Sequence, residues 1–123
     1  LPITDQTLPT LLNDLETRGL LDSTLVLWMG EFGRTPKINE NASRDHWPQC
    51  HTVLFAGAGV KRGYIYGASD KTGAFPAENP VRPDDLAATV YYMLGIDPHT
   101  EVHGVGNRPL VIANGKPVLD ILA

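Results

Sequence analysis

The chain has 123 residues, which is enough for one domain around a single hydrophobic core. Hydrophobic residues make up 42% of the chain and charged residues 20%, which is typical of a globular protein, and no apolar stretch reaches the roughly 18 residues that a bilayer span requires. The net charge of -4 argues against nucleic acids and anionic membranes as partners, because both bind basic surfaces.

The first predicted element is an amphipathic helix from Thr4 to Leu21. Its apolar residues recur at a spacing of three or four, as a helix with one buried face requires; they are Leu8, Leu11, Leu12, Leu15 and Leu20. Thr4 or Asp5 could cap the N-terminus, and Gly19 stands where a left-handed residue commonly ends a helix.

Two uninterrupted apolar runs predict strands, the first over residues 23–29 and the second over residues 51–56. Runs without alternation are typical of parallel strands that helices cover on both faces. Residues 57–63 form a glycine-rich connection that lacks the ending of a phosphate-binding loop, and residues 64–66 predict a short edge strand. Cys50, the only cysteine, excludes an internal disulfide bond and is interpreted as a small core residue.

The second half of the chain predicts one more helix and a hairpin. After a loop rich in glycine, alanine and proline, the helix begins at Pro83 and runs to Leu94, with Gly95 as its stop. Asn114 and Gly115, between two apolar segments, are a strong hairpin signal. The predicted fold class is therefore α/β, with a short, mostly parallel sheet flanked by helices and a C-terminal hairpin. In the second helix we expect four side chains to face the core: Leu86, Val90, Met93 and Leu94.

Polar side chains that could carry out chemistry border both predicted strands. Glu31 and Arg34 follow the first strand, and His46 precedes the second. If these strands are neighbours in a parallel sheet, both loops emerge at the same edge. A carboxylate and an imidazole there could bind a divalent metal ion, and Arg34 could bind a phosphate or sulfate group. The alternative, which spacing alone favours, is a salt bridge between Glu31 and Arg34 with His46 hydrogen-bonded in its loop. A third possibility, a salt-bridge network of Glu31, Arg34 and Asp45 that fixes the loops, is compatible with either.

A further polar cluster lies within seven residues after the second helix: Asp97, His99, Glu101 and His103. Two histidines four residues apart bind a metal well on a helix, but Pro98 and Gly104 indicate a loop, so we interpret the cluster as solvated. In the glycine-rich connection, Lys61 is a second candidate for contact with an anion.

Five segments, in this order along the chain, carry a resemblance to a known family. They are residues 25–36 (LVLWMGEFGRTP), 44–48 (RDHWP), 56–63 (AGAGVKRG), 85–90 (DLAATV) and 94–98 (LGIDP). Together they look like the C-terminal third of a large bacterial family of uncharacterised proteins that is assigned to the alkaline-phosphatase-like superfamily, alongside sulfatases and phosphopentomutases. The resemblance implies a partial alkaline-phosphatase-like core.

The same resemblance implies an altered metal site. Glu31 takes the position of a metal-binding aspartate, Phe32 that of a histidine ligand, and His46 that of a later metal-binding histidine. Phe32 cannot bind a metal, and Glu31 is one methylene longer than aspartate. The nucleophile and the other ligands of the superfamily lie upstream of the matched region, so we expect residues 1–123 to be one C-terminal segment without a catalytic residue of its own.

Two hypotheses for function follow. In the first, the chain is a segment of a metal-dependent hydrolase of phosphate or sulfate esters of small molecules or glycans, inactive alone, in which Glu31 and His46 bind Zn, Mn, Mg or Ca and Arg34 and Lys61 bind the anion. In the second, the chain is a non-catalytic binding or structural module, and Phe32 marks the loss of the site. Export is implied by relatives that carry export signals. Apolar surface left uncovered should make the isolated segment self-associate.

Overall fold

The structure is a computed structural model and describes residues 2–123. The first helix, α1, spans Pro2–Thr17, which confirms the predicted helix but places its end before Leu21. Because Pro2 already has a backbone φ suited to a first helical turn, the helix begins there, and the prediction that Thr4 or Asp5 caps it is wrong. Gly19 follows with φ of 67°, the left-handed end that was predicted.

Eight short strands form four separate two-stranded sheets, all antiparallel, within residues 2–123. The pairs are β1 (Val26–Trp28) with β4 (Leu54–Ala56), β2 (Gly33–Arg34) with β3 (His46–Trp47), β5 (Ala68–Ser69) with β6 (Pro76–Glu78), and β7 (Glu101–His103) with β8 (Pro109–Val111).

The predicted mostly parallel sheet, and with it the partial alkaline-phosphatase-like core, is therefore wrong. Both predicted apolar strands exist in shortened form as β1 and β4, but they pair antiparallel, with Val26 opposite Ala56. Parallel neighbours need a crossover connection, usually a helix. The connection between β1 and β4 instead contains the β2–β3 hairpin, which lets the chain reverse its direction.

Two hairpins lie where the sequence predicted irregular structure. The polar stretch after β1 contains the β2–β3 hairpin, and the predicted loop over residues 67–82 contains the β5–β6 hairpin. In the second hairpin the Asp70 carboxylate accepts hydrogen bonds from the backbone N–H groups of Thr72, Ala74 and Phe75. These bonds, that of Ala74 above all, lower the pKa of Asp70. The edge strand predicted at residues 64–66 does not form.

The second helix, α2, spans Pro83–Met93 and confirms the predicted helix, with Gly95 at φ of 75° beyond its end. The C-terminal segment packs against its first turns. Gly115 lies so close to the backbone of Asp84 that a Cβ atom at this position would overlap the Asp84 carbonyl. The predicted hairpin at Asn114 and Gly115 is wrong because this glycine serves a close approach to α2, while β8 pairs with β7.

The core of the molecule is small. The most buried side chains are Ala88, Thr89 and Ala113, whereas Leu94, which we expected in the core, is 61% exposed. The accessible surface is 9172 Å², compared with about 6,500 Å² for a typical folded monomer of this mass. Neither helix in residues 2–123 has the length and hydropathy that a membrane crossing requires. Much apolar surface is thus left uncovered by the chain itself.

Candidate functional site

The candidate site lies on the β2–β3 hairpin. The chain leaves β1 through Gly30 and Glu31 and enters β2, which pairs with β3 so that Arg34 is directly opposite His46. Gly33 is opposite Trp47, and a Cβ atom on Gly33 would overlap the backbone carbonyl of Cys50. The absence of a side chain at this position therefore allows the 47–50 segment to approach β2 closely.

Local hydrogen bonds hold the loop between the two strands in one shape. Thr35 and Asp45 exchange bonds, since the Thr35 N–H donates to the Asp45 carbonyl over 3.0 Å and the Asp45 N–H donates to Thr35 Oγ1 over 3.1 Å. Arg44 Nη1 donates to the carbonyl oxygens of Thr35 and Pro36 over 2.6 Å and 2.5 Å. Asn39 Nδ2 donates to Asp45 Oδ1 over 2.9 Å. These bonds fix the backbone on both sides of Arg34 and His46.

Phe32 and His46 are in ring contact at the base of the hairpin. Their ring centroids lie 4.0 Å apart with an angle of 31° between the planes. The Arg34 guanidinium carbon lies 5.8 Å from the Phe32 centroid, and Arg34 Nη1 donates to the Arg44 carbonyl over 3.4 Å. His46 and Arg34 are exposed and Phe32 is half-buried. Phe32 thus packs against one face of the imidazole and leaves its ring nitrogens without a hydrogen-bond partner in residues 2–123.

Glu31 is exposed and forms no ion pair with another residue of the part of the chain that the structure describes. The alternative of a Glu31–Arg34 salt bridge is therefore wrong. A network through Asp45 does not form either, because the Asp45 side chain accepts a hydrogen bond from Asn39 instead. Glu31, Arg34 and His46 all remain open to solvent on one hairpin.

The donor types at this site fit a divalent metal ion, but their number does not. Zinc sites in proteins have three or four protein ligands. No group of three histidine, cysteine, aspartate or glutamate side chains in residues 2–123 is arranged to hold a metal ion. Glu31 and His46 would supply two ligands at most, so residues 2–123 alone do not complete a metal site.

Lys61 is used elsewhere in the fold. Its Nζ donates to the Asp120 carbonyl over 2.9 Å and lies 5.2 Å from the centroid of the Tyr64 ring. Next to it, Val60 forms an isolated β-bridge with Leu122. The observed contacts of Lys61 therefore hold the C-terminal segment in place, and its contact with an anion stays a prediction.

The cluster after α2 divides into two parts. Asp97 and His99 form a turn in which the His99 N–H donates to Asp97 Oδ1 over 2.9 Å, and both side chains are exposed, as predicted for a solvated loop. Glu101 and His103, however, lie in strand β7 rather than in a loop. The four side chains form no metal-binding group.

Sequence reasoning missed two residues that shape the site. Arg44 closes the hairpin loop, and its position beside Asp45 and His46 was the signal available for it. Trp47 ties the site to the β5–β6 hairpin, since its Nε1 donates to the Ala74 carbonyl over 2.6 Å and its ring meets Phe75 edge-on at 5.7 Å. Its partners lie 27 and 28 residues away, so no local pattern predicts them.

Comparison with known proteins gives one assignment. No curated protein and no solved structure matches the chain. A match to the family described as "Protein of unknown function (DUF1501)" covers residues 1–122, nearly the whole chain. The chain therefore belongs to this family.

Proposed function

We propose that the chain contributes one side of a hydrolase site for phosphate or sulfate esters, in which Arg34 binds the anionic group next to His46. The observation that carries the proposal is the register of the β2–β3 hairpin, which places Arg34 directly opposite His46. Side chains at directly opposed positions have Cβ atoms about 4.5–5.5 Å apart, close enough to contact one tetrahedral anion. A guanidinium is well suited to such an anion because it donates two parallel hydrogen bonds.

The electrostatics of the hairpin support the proposal. Arg34 has no carboxylate partner in residues 2–123, and its visible hydrogen bond to the Arg44 carbonyl is long, at 3.4 Å. Arg44, which is also without a carboxylate partner in this range, lies beside it on the same loop. An incoming phosphate or sulfate would therefore meet two guanidinium groups that form no ion pair within the described chain, on a hairpin that also carries Glu31, Glu40 and Asp45.

The proposed metal ion, of Zn, Mn, Mg or Ca type, would be held by Glu31 and His46 together with ligands from outside residues 1–123. Such an ion polarises an ester oxygen and activates a nucleophile when it is bound. The nucleophile also lies outside this chain in the proposal, so residues 1–123 alone should be inactive. Lys61 is kept as a second anion contact, with donor hydrogens to spare beyond its bond to Asp120. The sequence resemblance to sulfatase-like proteins supports the same reaction class.

A second candidate function is a non-catalytic binding or structural module. The observation that favours it is the ring contact of Phe32 with His46, together with the lack of a third metal ligand in residues 2–123. In this case Phe32 and His46 stabilise the hairpin by packing, and replacement of Arg34 would leave function intact. The two candidate functions therefore differ in whether the hairpin binds a metal ion through Glu31 and His46 and an anion through Arg34.

The deciding experiment measures the Mn²⁺ or Zn²⁺ affinity of the full-length protein by calorimetry, and its metal content by elemental analysis. Glu31→Gln and His46→Ala should each weaken binding by at least about tenfold if both residues are ligands. The matched controls are Glu40→Gln, in the loop between β2 and β3, and His51→Ala, since both residues are exposed and neither is a proposed ligand. Phe32→His, which adds a third donor next to His46, should tighten binding.

The outcome also separates the two candidates. Metal binding that is lost in both ligand variants and kept in both controls supports the hydrolase site, and a screen of phosphate and sulfate esters then follows. Binding that is absent, or equal in all variants, removes the metal site and leaves the binding or structural module.

A further inference from the structure

The turn of the β5–β6 hairpin is organised by one carboxylate, that of Asp70. Its Oδ1 accepts the Thr72 N–H over 2.9 Å and the Ala74 N–H over 3.0 Å, and its Oδ2 accepts the Phe75 N–H over 3.2 Å. The Asp70 N–H in turn donates to the Phe75 carbonyl over 2.8 Å. Asp70 therefore fixes the direction of the peptide group that joins Ala74 to Phe75.

The other end of this peptide group contacts Trp47. In a planar, trans peptide the C=O and the N–H point in opposite directions, so a Phe75 N–H that points at Asp70 turns the Ala74 carbonyl away from it. That carbonyl accepts the indole N–H of Trp47 over 2.6 Å. The Phe75 ring meets the indole edge-on, with the ring centroids 5.7 Å apart. The turn that Asp70 organises thus holds Trp47 by a hydrogen bond and by packing.

Trp47 is part of the same two-pair ladder as the candidate site. It lies opposite Gly33, and the next pair of the ladder is Arg34 with His46. The ladder between β2 and β3 contains only these two pairs. A displacement of Trp47 therefore moves the adjacent His46 relative to Arg34.

We propose that Asp70 is a positioning residue for the candidate site. Acting through the Ala74 peptide group and Trp47, it fixes the register of the β2–β3 hairpin and with it the affinity for an anion. The part that concerns the anion rests on the proposed function. No hydrogen bond or ion pair within residues 2–123 joins Asp70 to Arg34 or His46, so its effect passes through Trp47.

The test combines two measurements on the full-length protein at one pH, for wild type, Asp70→Ala and Asp70→Asn. The first is the NMR signal of the His46 ring protons, which depends on the ring current of Phe32 at a centroid distance of 4.0 Å and needs no ligand. The second is the affinity for inorganic phosphate by calorimetry. The matched control is Asp97→Ala, since the Asp97 carboxylate also accepts a backbone N–H in a turn, but in the turn after α2.

Asp70→Ala should shift the His46 signals and weaken phosphate binding by at least about threefold, because a site binds less well when the residues behind it no longer fix its geometry. Asp70→Asn keeps one carbonyl oxygen as an acceptor, so it should restore part of both losses. Asp97→Ala should change neither. If Asp70→Ala does not fold, Trp47→Phe removes the indole N–H but keeps an aromatic ring, and it should shift the His46 signals in the same way.

The outcomes separate this inference from the proposed function. Unchanged His46 signals in folded Asp70→Ala, or a shift of equal size in Asp97→Ala, would overturn the positioning role. Shifted signals with unchanged phosphate affinity would overturn its effect on the anion. A wild-type protein that binds no phosphate would count against the proposed function, and the His46 signals would still decide whether Asp70 positions the hairpin.

Discussion

At the candidate site, one residue decides how closely two backbone segments approach. Gly33 lies in β2 opposite Trp47, with the Cys50 carbonyl where a Cβ atom would be. The same strand carries Arg34, whose position opposite His46 supports the proposed function. Displacement of the 47–50 segment would therefore move His46 relative to Arg34.

Gly33→Ala should destabilise the chain by about 1–3 kcal/mol, because a backbone carbonyl cannot move aside as a flexible side chain can. Urea unfolding monitored by circular dichroism would measure this change. The control is Gly30→Ala, where the nearest atom to an added Cβ is the Phe32 carbonyl oxygen at 3.5 Å, an ordinary contact. Equal stability of the two variants would show that the 47–50 segment does not approach β2 as closely as described.

Asp85 joins the N-terminus of α2 to the C-terminal segment. Its carboxylate accepts hydrogen bonds from the Lys116 N–H over 2.9 Å and from the Arg82 N–H over 3.1 Å. The bond from Lys116 has the largest effect on its pKa and, with the bonds and charge of Arg82, lowers it despite partial burial. Because the pKa of Asp85 is lower in the folded state, its ionised carboxylate stabilises the fold at pH values above the unfolded-state pKa of about 3.9. This stabilisation is lost as the pH falls through the folded-state pKa.

Asp85→Asn should therefore lower the free energy of unfolding by about 0.5–2 kcal/mol at pH 7, as the loss of a helix-capping carboxylate does. The difference from wild type should shrink when the same urea titration is repeated below the folded-state pKa, where wild-type Asp85 is protonated too. Asp84→Asn is the control, since Asp84 is exposed and its side chain makes no hydrogen bond to residues 2–123. A difference that is independent of pH would contradict the role of the charge.

At the scale of elements, α2 and the C-terminal segment form the best-packed part of the molecule. Thr89, 1% exposed, donates its hydroxyl to the Asp85 carbonyl over 2.6 Å and accepts the Val118 N–H over 2.9 Å. One side chain thus joins a helix turn to a segment 29 residues further along the chain. Its neighbour in the helix, Ala88, is also fully buried.

Thr89→Val keeps the shape of the side chain but leaves the Val118 N–H without its partner, which should cost about 1–3 kcal/mol. Thermal unfolding would measure the loss. Thr10→Val is a matched control, because Thr10 makes the same kind of bond, to the Gln6 carbonyl over 2.6 Å, on the exposed face of α1 and accepts none. If both variants lose the same stability, the bond to Val118 contributes nothing.

The helices could be predicted from sequence because their signals are local. In both helices the apolar spacing and a glycine beyond the end agree with the observed elements, and in α2 the proline in the first turn does too. Such signals depend on neighbours within one or two turns, so no knowledge of the tertiary fold is needed.

The strand pairing could not be predicted in the same way. The apolar runs predicted the positions of β1 and β4. The direction in which these strands pair depends on the connection between them, and the sequence predicted an irregular loop there instead of the β2–β3 hairpin. The β2–β3 hairpin is polar and is held by bonds such as those of Arg44 to backbone carbonyls, which leave no apolar periodicity. At the candidate site, the sequence correctly predicted that Arg34 and His46 lie close together. The reason given, that their loops meet at one edge of a parallel sheet, was wrong, because the two residues face each other in an antiparallel hairpin.

At the scale of the whole molecule, large apolar side chains are exposed along the whole chain, among them Ile3, Ile65 and Leu94. Exposed apolar surface drives association, so residues 1–123 alone should self-associate. Light scattering of the purified chain over a range of concentrations would measure this, and a monomer at every concentration would contradict it.

The two tryptophans of the chain lie in different surroundings, and this makes them separate optical probes. Trp28 lies exposed in β1, whereas Trp47 is half-buried in the hairpin of Arg34 and His46, with its indole N–H on the Ala74 carbonyl. Because indole emission shifts to shorter wavelength as water is removed, a Trp28→Phe variant would report ligand binding at the hairpin through Trp47 alone. A Trp47→Phe variant would report events at the sheet through Trp28 alone, so the intrinsic fluorescence of this chain can separate anion binding from association without an added label.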